Sequence, residues 1–226
     1  MPEIQAIPGF FEPVSSLTHL VGALVFLALS VPMLRHFARS RRLWTALGLF
    51  SFSVVFMLSM SGVYHLLDEG GVARPVLRRL DHVAIFVLIA GTLTAVHTVL
   101  MKGPWRWVMI TVAWIACALG VALKVLYFDE TPEWVALAVY LGMGWLGFIS
   151  TMRLWYLHGP RYIAPLIAGG MLYTVGAVLD FLRAPVLIPG VVHAHELFHV
   201  CVLAALGLHW AFVSRVLREQ RALSKV

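Results

Sequence analysis

Seven long apolar runs, each separated from the next by a break of Pro, Gly or charge, dominate this 226-residue sequence. A helix that crosses a bilayer needs about 20 mostly apolar residues, so seven of them use about 140. The expected spans are 17–34, 44–67, 82–101, 105–127, 134–154, 162–182 and 194–214. The breaks between them read RHFARSRR, DEGGVARPVLRR, MKGP, FDETPE, LHGPR and RAPVLIPG, the punctuation expected of loops. Lipid offers no hydrogen bonds to open backbone, so spans this apolar must be α-helical. The fold expected is therefore all-α: a polytopic bundle of seven transmembrane helices. Residues 1–226 form a single integral membrane domain in this reading, with no room for a separate soluble one.

Composition supports the same class. The chain is 61% apolar and 12% charged, against about 45–50% and 25% for soluble domains. Disorder needs the opposite balance. The 17 Lys+Arg against 11 Asp+Glu leave a net charge of +6. No stretch mixes dense basic residues with exposed aromatics, so nucleic acid is not an expected partner. Cys117 and Cys201 lie inside apolar runs and imply no disulfide framework. The N-terminal stretch has no Lys or Arg and carries Glu3 and Glu12, unlike the basic start of a signal peptide. Trp44, Trp105, Trp107, Trp134, Trp155 and Trp210 sit near span ends, as an interfacial belt requires.

Seven spans put the two termini on opposite sides. The N-terminal side holds 5 basic residues, Arg74, Arg78, Arg79, Lys124 and Arg183; the other side holds the remaining 12, Lys225 among them. The basic excess marks the cytoplasmic face, which places the C terminus inside.

Ionisable residues within spans are costly and point to function. The seventh span opens with HAHELFH. His195 and His199 are four apart and share a helix face, as a pair of metal-ligating imidazoles does in zinc-binding helices. A pair of membrane-edge histidines bonded to backbone or headgroups is the competing reading. Ser61 and His65 share a face in the same way. Asp81 and His82 open the third span, where Asp81 serves either as a site carboxylate or as a helix cap or partner of Arg78 or Arg79. Span 2 ends, and spans 3 and 7 begin, on one side of the membrane. His65, Asp81, His195 and His199 thus fall at similar depth. Three imidazoles and an open position make a catalytic zinc site, beside which a carboxylate can accept the proton of an activated water.

The other polar residues rank lower. Glu196 completes an HExxH pattern and has a claim as base comparable to that of Asp81. Asp180 is a candidate for the surroundings of the site, and Glu12 and His19 for capping or lining the same pocket. His193 should point away from His195, and His82 should face a different neighbour. His36 and His158 lie in loops, and His97 and His209 near the far ends of their spans.

Several of these motifs occur in order. The run Ser61-Gly-Val-Tyr-His65, the run Leu80-Asp81-His82 through Gly91-Thr92, and Leu141-Gly-Met-Gly-Trp145-Leu resemble the hemolysin III family. Glu12 with His19, and His195-Glu196-Leu-Phe-His199, complete the set. That family belongs with the progestin and adipoQ receptors, which include the adiponectin receptors. The likeness runs from about residue 12 to 214 and is closest to the compact bacterial branch. It implies a multi-pass protein of the bacterial cytoplasmic (inner) membrane with an intramembrane Zn²⁺. The implied ligands are His65, His195 and His199. Asp81, with Ser61, holds the water or braces the site. The resemblance also implies an N terminus and a zinc on the cytoplasmic side, opposite to the reading of the basic residues. A one-sided reporter fused to Val226 separates the two.

Three functions follow as expectations. The first is a zinc-dependent intramembrane hydrolase of acyl-amide, ceramide-like or other membrane lipids, which rests on the resemblance for its substrate. The second is a non-enzymatic regulator of membrane lipid composition, with zinc as a structural pin. The third, a pore former, requires a soluble precursor that this composition does not support. Membrane lipids are the expected partners in the first two.

Overall fold

The computed structural model describes residues 4–68 and 70–223; Glu3, Glu69 and Lys225 lie outside them. The described residues form seven helices: α1 (Pro13–His36), α2 (Arg41–Leu66), α3 (Arg74–Leu100), α4 (Pro104–Leu126), α5 (Glu133–His158), α6 (Pro160–Leu182) and α7 (Ala194–Leu223). All seven are long and apolar enough to cross a membrane. The two β-bridges are isolated pairs, Ile7 with Phe10 and Ile188 with Val192.

Helix starts follow local chemistry. Pro opens α1, α4 and α6, where its missing N–H would have had no intrahelical partner. The Ser40 hydroxyl caps α2, accepting from the Leu43 amide at 3.4 Å. Gly103 and Gly159 take positive φ values of 69° and 81°, which lets the chain reverse in very few residues before α4 and α6.

Two boundaries differ from the sequence reading. Helix α3 begins at Arg74 and not at His82. Asp81 thus lies two turns inside the helix and is not its cap. Helix α7 runs on to Leu223, so Trp210 is not at an end. It is buried and packs on Phe26 and Phe50, with ring centroids 5.2 and 5.1 Å away. Trp44, Trp107, Trp134 and Trp155 are exposed, as an interfacial belt requires.

Helix α3 is the hub, with 72% of its apolar window buried against 17% for α5. One core joins α1, α2, α3 and α7 around Phe50, Leu58 and Leu206. A second joins α3, α4 and α5 around Phe86 and Met143. The α2–α3 contact is backbone-close. A Cβ at Gly91 would collide with the Ser53 side chain and stand 3.2 Å from the Leu49 carbonyl. The backbone cannot yield as a side-chain tip can. Gly91→Ala is therefore expected to destabilise the bundle by about 1–3 kcal/mol, read as a lower thermal unfolding midpoint with the metal content measured in parallel.

Candidate metal centre

His65 closes the last turn of α2, while His195 and His199 stand in the first two turns of α7. Their ligand atoms all lie within 4.8 Å of one another. The Nε2 atom of His195 is 3.3 Å from that of His65 and 3.1 Å from that of His199. Tetrahedral ligands at about 2.0–2.1 Å from a zinc ion are separated by about 3.4 Å. The two separations from His195 therefore match the spacing a single ion imposes. His65 and His199 are buried and His195 is half-buried.

The outer nitrogens fix this orientation. The Nδ1 of His65 lies 2.6 Å from Glu12 Oε2, and the Nδ1 of His195 lies 2.9 Å from Asp180 Oδ1. A carboxylate accepting from Nδ1–H leaves Nε2 deprotonated and facing inward, and makes it a stronger donor to a metal. The residues thus fit a metal in number, and the Nδ1 partners of His65 and His195 set the tautomer a metal needs at those two rings. His19, a buried residue of α1, stacks on His199 with centroids 3.9 Å apart.

Glu12 is itself held. Arg74 Nη2 donates to Glu12 Oε1 at 3.1 Å, and Arg74 Nη1 donates to the Leu67 carbonyl. The guanidinium also lies over the rings of Phe11 and Tyr64, 4.6 and 4.9 Å from their centroids. The Phe11 and Glu12 amides bond the carbonyls of Leu66 and His65 at 3.2 and 2.9 Å. The segment before α1 is thereby fastened across the end of α2. Burial alone would raise the Glu12 carboxyl, but the hydrogen bond with His65 and nearby positive groups, Arg74 included, hold it below its ordinary value.

The HExxH glutamate has other work. Glu196 Oε2 accepts from the His193 amide at 2.9 Å, and Glu196 Oε1 accepts from the Ser15 hydroxyl at 3.0 Å. The first contact is half of a capping box, with the third helical residue reaching back to the residue before the helix. His193 lies before α7 and accepts from the Gly190 amide at 3.0 Å. The distal histidines also have structural roles. His97 bridges the Leu93 carbonyl and the Ser150 hydroxyl, at 2.7 and 2.6 Å. His209 bonds the Leu166 carbonyl at 3.2 Å.

A cavity of about 390 Å³ lies between α3, α5, α6 and α7, and its wall includes His195, His199, His19, Ser61 and Asp81. Glu196 is not among its lining residues. Asp81 has its Oδ2 3.7 Å from His82 Nδ1, whereas Arg79 pairs with Asp129 at 3.5 Å. The rest of the wall is mostly apolar. Trp145, Phe148 and Met171 line the cavity and are also exposed on the outer surface. A Cβ at Gly144 or Gly170 would meet nothing within 4 Å. The cavity thus approaches the lipid-facing side between α5 and α6.

This geometry accompanies a clear family match. The profile of the family described as Haemolysin-III related matches residues 10–210. The chain belongs to the haemolysin III family. Hemolysin-3 of Bacillus cereus is 26% identical over 169 residues, covering 74% of this chain and 76% of that protein. A Hemolysin-3 homolog of Bacillus subtilis is 27% identical over 169 residues, covering 74% and 78%. Family membership and seven apolar helices make this an integral membrane protein.

Sequence reasoning missed Arg74 as a site residue. In the sequence it reads as a loop charge, and nothing in its neighbours separates it from Arg78 and Arg79. Only the fold brings it against Glu12.

Proposed function

We propose that this haemolysin III protein is a zinc-dependent intramembrane hydrolase of acyl-amide, ceramide-like or other membrane lipids. It would work in the bacterial cytoplasmic membrane, in membrane-lipid homeostasis. The observation that carries the reading is the convergence of three imidazole Nε2 atoms, two of them on His195 and His199 at the wall of an apolar cavity that Asp81 and Ser61 also line. Three imidazoles suit zinc and leave a fourth position open, the pattern of catalytic sites.

Zinc, when bound there, would activate a water molecule and polarise a carbonyl. His65, His195 and His199 would hold it, while Glu12 and Asp180 keep the first two rings turned inward. Asp81 supplies the carboxylate that accepts a proton and returns it to the leaving group. Ser61, one turn from His65 on α2, braces the polar end of the cavity. The apolar wall receives an acyl chain that enters sideways from lipid and keeps bulk water away from the carbonyl.

Asp81→Asn is the test. The variant is expected to keep its metal and to lose about 10²–10⁴-fold in turnover, measured on a ceramide-like acyl amide in mixed micelles. Full metal loading with no turnover that depends on Asp81 would favour the second reading, a lipid-responsive regulator with a structural zinc.

A further inference from the structure

A second cleft lies at the opposite end of the bundle from the histidines, between the last turns of α1 and the extended end of α7. It measures about 630 Å³. Two helical stripes form it. On α1 the lining residues follow the spacing 29, 32, 33 and 36; on α7 they follow 210, 214, 217, 218, 221 and 222. Both are single faces of an α-helix. Each stripe grades from apolar to cationic. Leu29, Met33, Trp210 and Leu217 form the floor, and His36, Arg218 and Arg221 form the rim. At 1.5 Å per residue, the deepest floor residue on α1, Leu29, is about 10 Å from His36 at the rim. That is the depth from a headgroup to the first part of its acyl chains.

Among the described residues, no Asp or Glu lines the cleft. The nearest in sequence, Glu219, is engaged elsewhere, with Tyr162 at 2.9 Å and Arg215 at 3.7 Å. Arg221 Nη1 stands 3.4 Å from His36 Nδ1, so the polar groups of the two helices meet at the mouth. Arg39, Arg41 and Arg42 follow α1 on the same side and are exposed.

We propose that this α1–α7 cleft is a binding site for one anionic glycerophospholipid, its phosphate on Arg218, Arg221 and His36 and its acyl chain on the floor between Met33 and Trp210. The site is separate from the histidine cluster and does not depend on the hydrolase reading. Basic pockets between transmembrane helices select acidic headgroups by charge, while the apolar floor requires a lipid and not a free anion. A headgroup near the surface gains about fivefold in affinity per Arg. Arg218 alone therefore gives phosphatidylglycerol about a fivefold advantage over phosphatidylcholine.

The test is native mass spectrometry of the purified full chain in detergent micelles, titrated with phosphatidylglycerol or phosphatidylcholine. The wild type is expected to retain one phosphatidylglycerol in strong preference, with inorganic phosphate failing to displace it. Arg218→Gln with Arg221→Gln is expected to abolish the preference. Ser214→Trp, which fills the floor and leaves the charges, is expected to reduce binding of both lipids. Arg39→Gln with Arg41→Gln, outside the cleft, is expected to leave the preference intact. Equal retention of the two lipids by the wild type would overturn the proposal. So would displacement by phosphate, a preference that survives the Arg218/Arg221 change, or an equal loss in the Arg39/Arg41 pair.

Discussion

His195→Ala is expected to strip the protein of its metal, from about one ion per chain to background by elemental analysis. His195 stands between the other two histidines, with its Nε2 3.3 Å from His65 and 3.1 Å from His199. Removing it leaves two imidazoles, one on α2 and one on α7. It also leaves Asp180 without the Nδ1–H it accepts at 2.9 Å. Loss of an outer partner alone costs such sites about 10–100-fold in affinity, and loss of a ligand exceeds that. His97→Ala separates a metal effect from a general one. His97 is more deeply buried than His195 and bonds Ser150 and the Leu93 carbonyl. That variant is expected to lose stability and keep its metal. Unchanged metal in the His195 variant would remove the assignment of this cluster.

Glu12→Ala should act twice. The His65 ring loses the carboxylate that holds its Nδ1–H, so metal affinity falls by about 10–100-fold. Arg74 is left beside Phe11, Tyr64 and the Leu67 carbonyl with no counter-charge. Breaking a buried ion pair from one side costs about 3–5 kcal/mol. The Arg74 and Glu12 side chains are 10% and 17% exposed, so the lower end applies, about 3 kcal/mol. Adding Arg74→Met should recover much of the stability and none of the metal affinity. Thermal unfolding and metal titration of the two variants check the two halves independently. A Glu12 variant with normal metal affinity would show that the 2.6 Å contact does not orient His65.

The spans and the histidine cluster were legible for one reason: in lipid each polar side chain is an exception. Hydropathy alone locates seven helices, and counting crossings puts His65, Asp81, His195 and His199 at one end. The partners of these residues were less legible. The HExxH spacing is the same whether its glutamate faces a metal or caps α7, and the contacts of Glu196 with His193 and Ser15 decide it. Residue 81 resembles a helix start because the apolar run begins there. The helix itself starts at Pro-flanked Arg74, since a turn of charged residues can be helical without being apolar. Arg74 and Trp210 illustrate the same limit. Each sits where a loop charge or a belt tryptophan belongs in sequence, and tertiary packing assigns each another role.

X-ray absorption at the zinc edge of the purified protein tests the central claim most directly. Three imidazole nitrogens at about 2.0–2.1 Å and one further light atom are predicted, with the imidazole signal reduced in His199→Ala. A protein that purifies without zinc, or a zinc shell without three imidazoles, would contradict it.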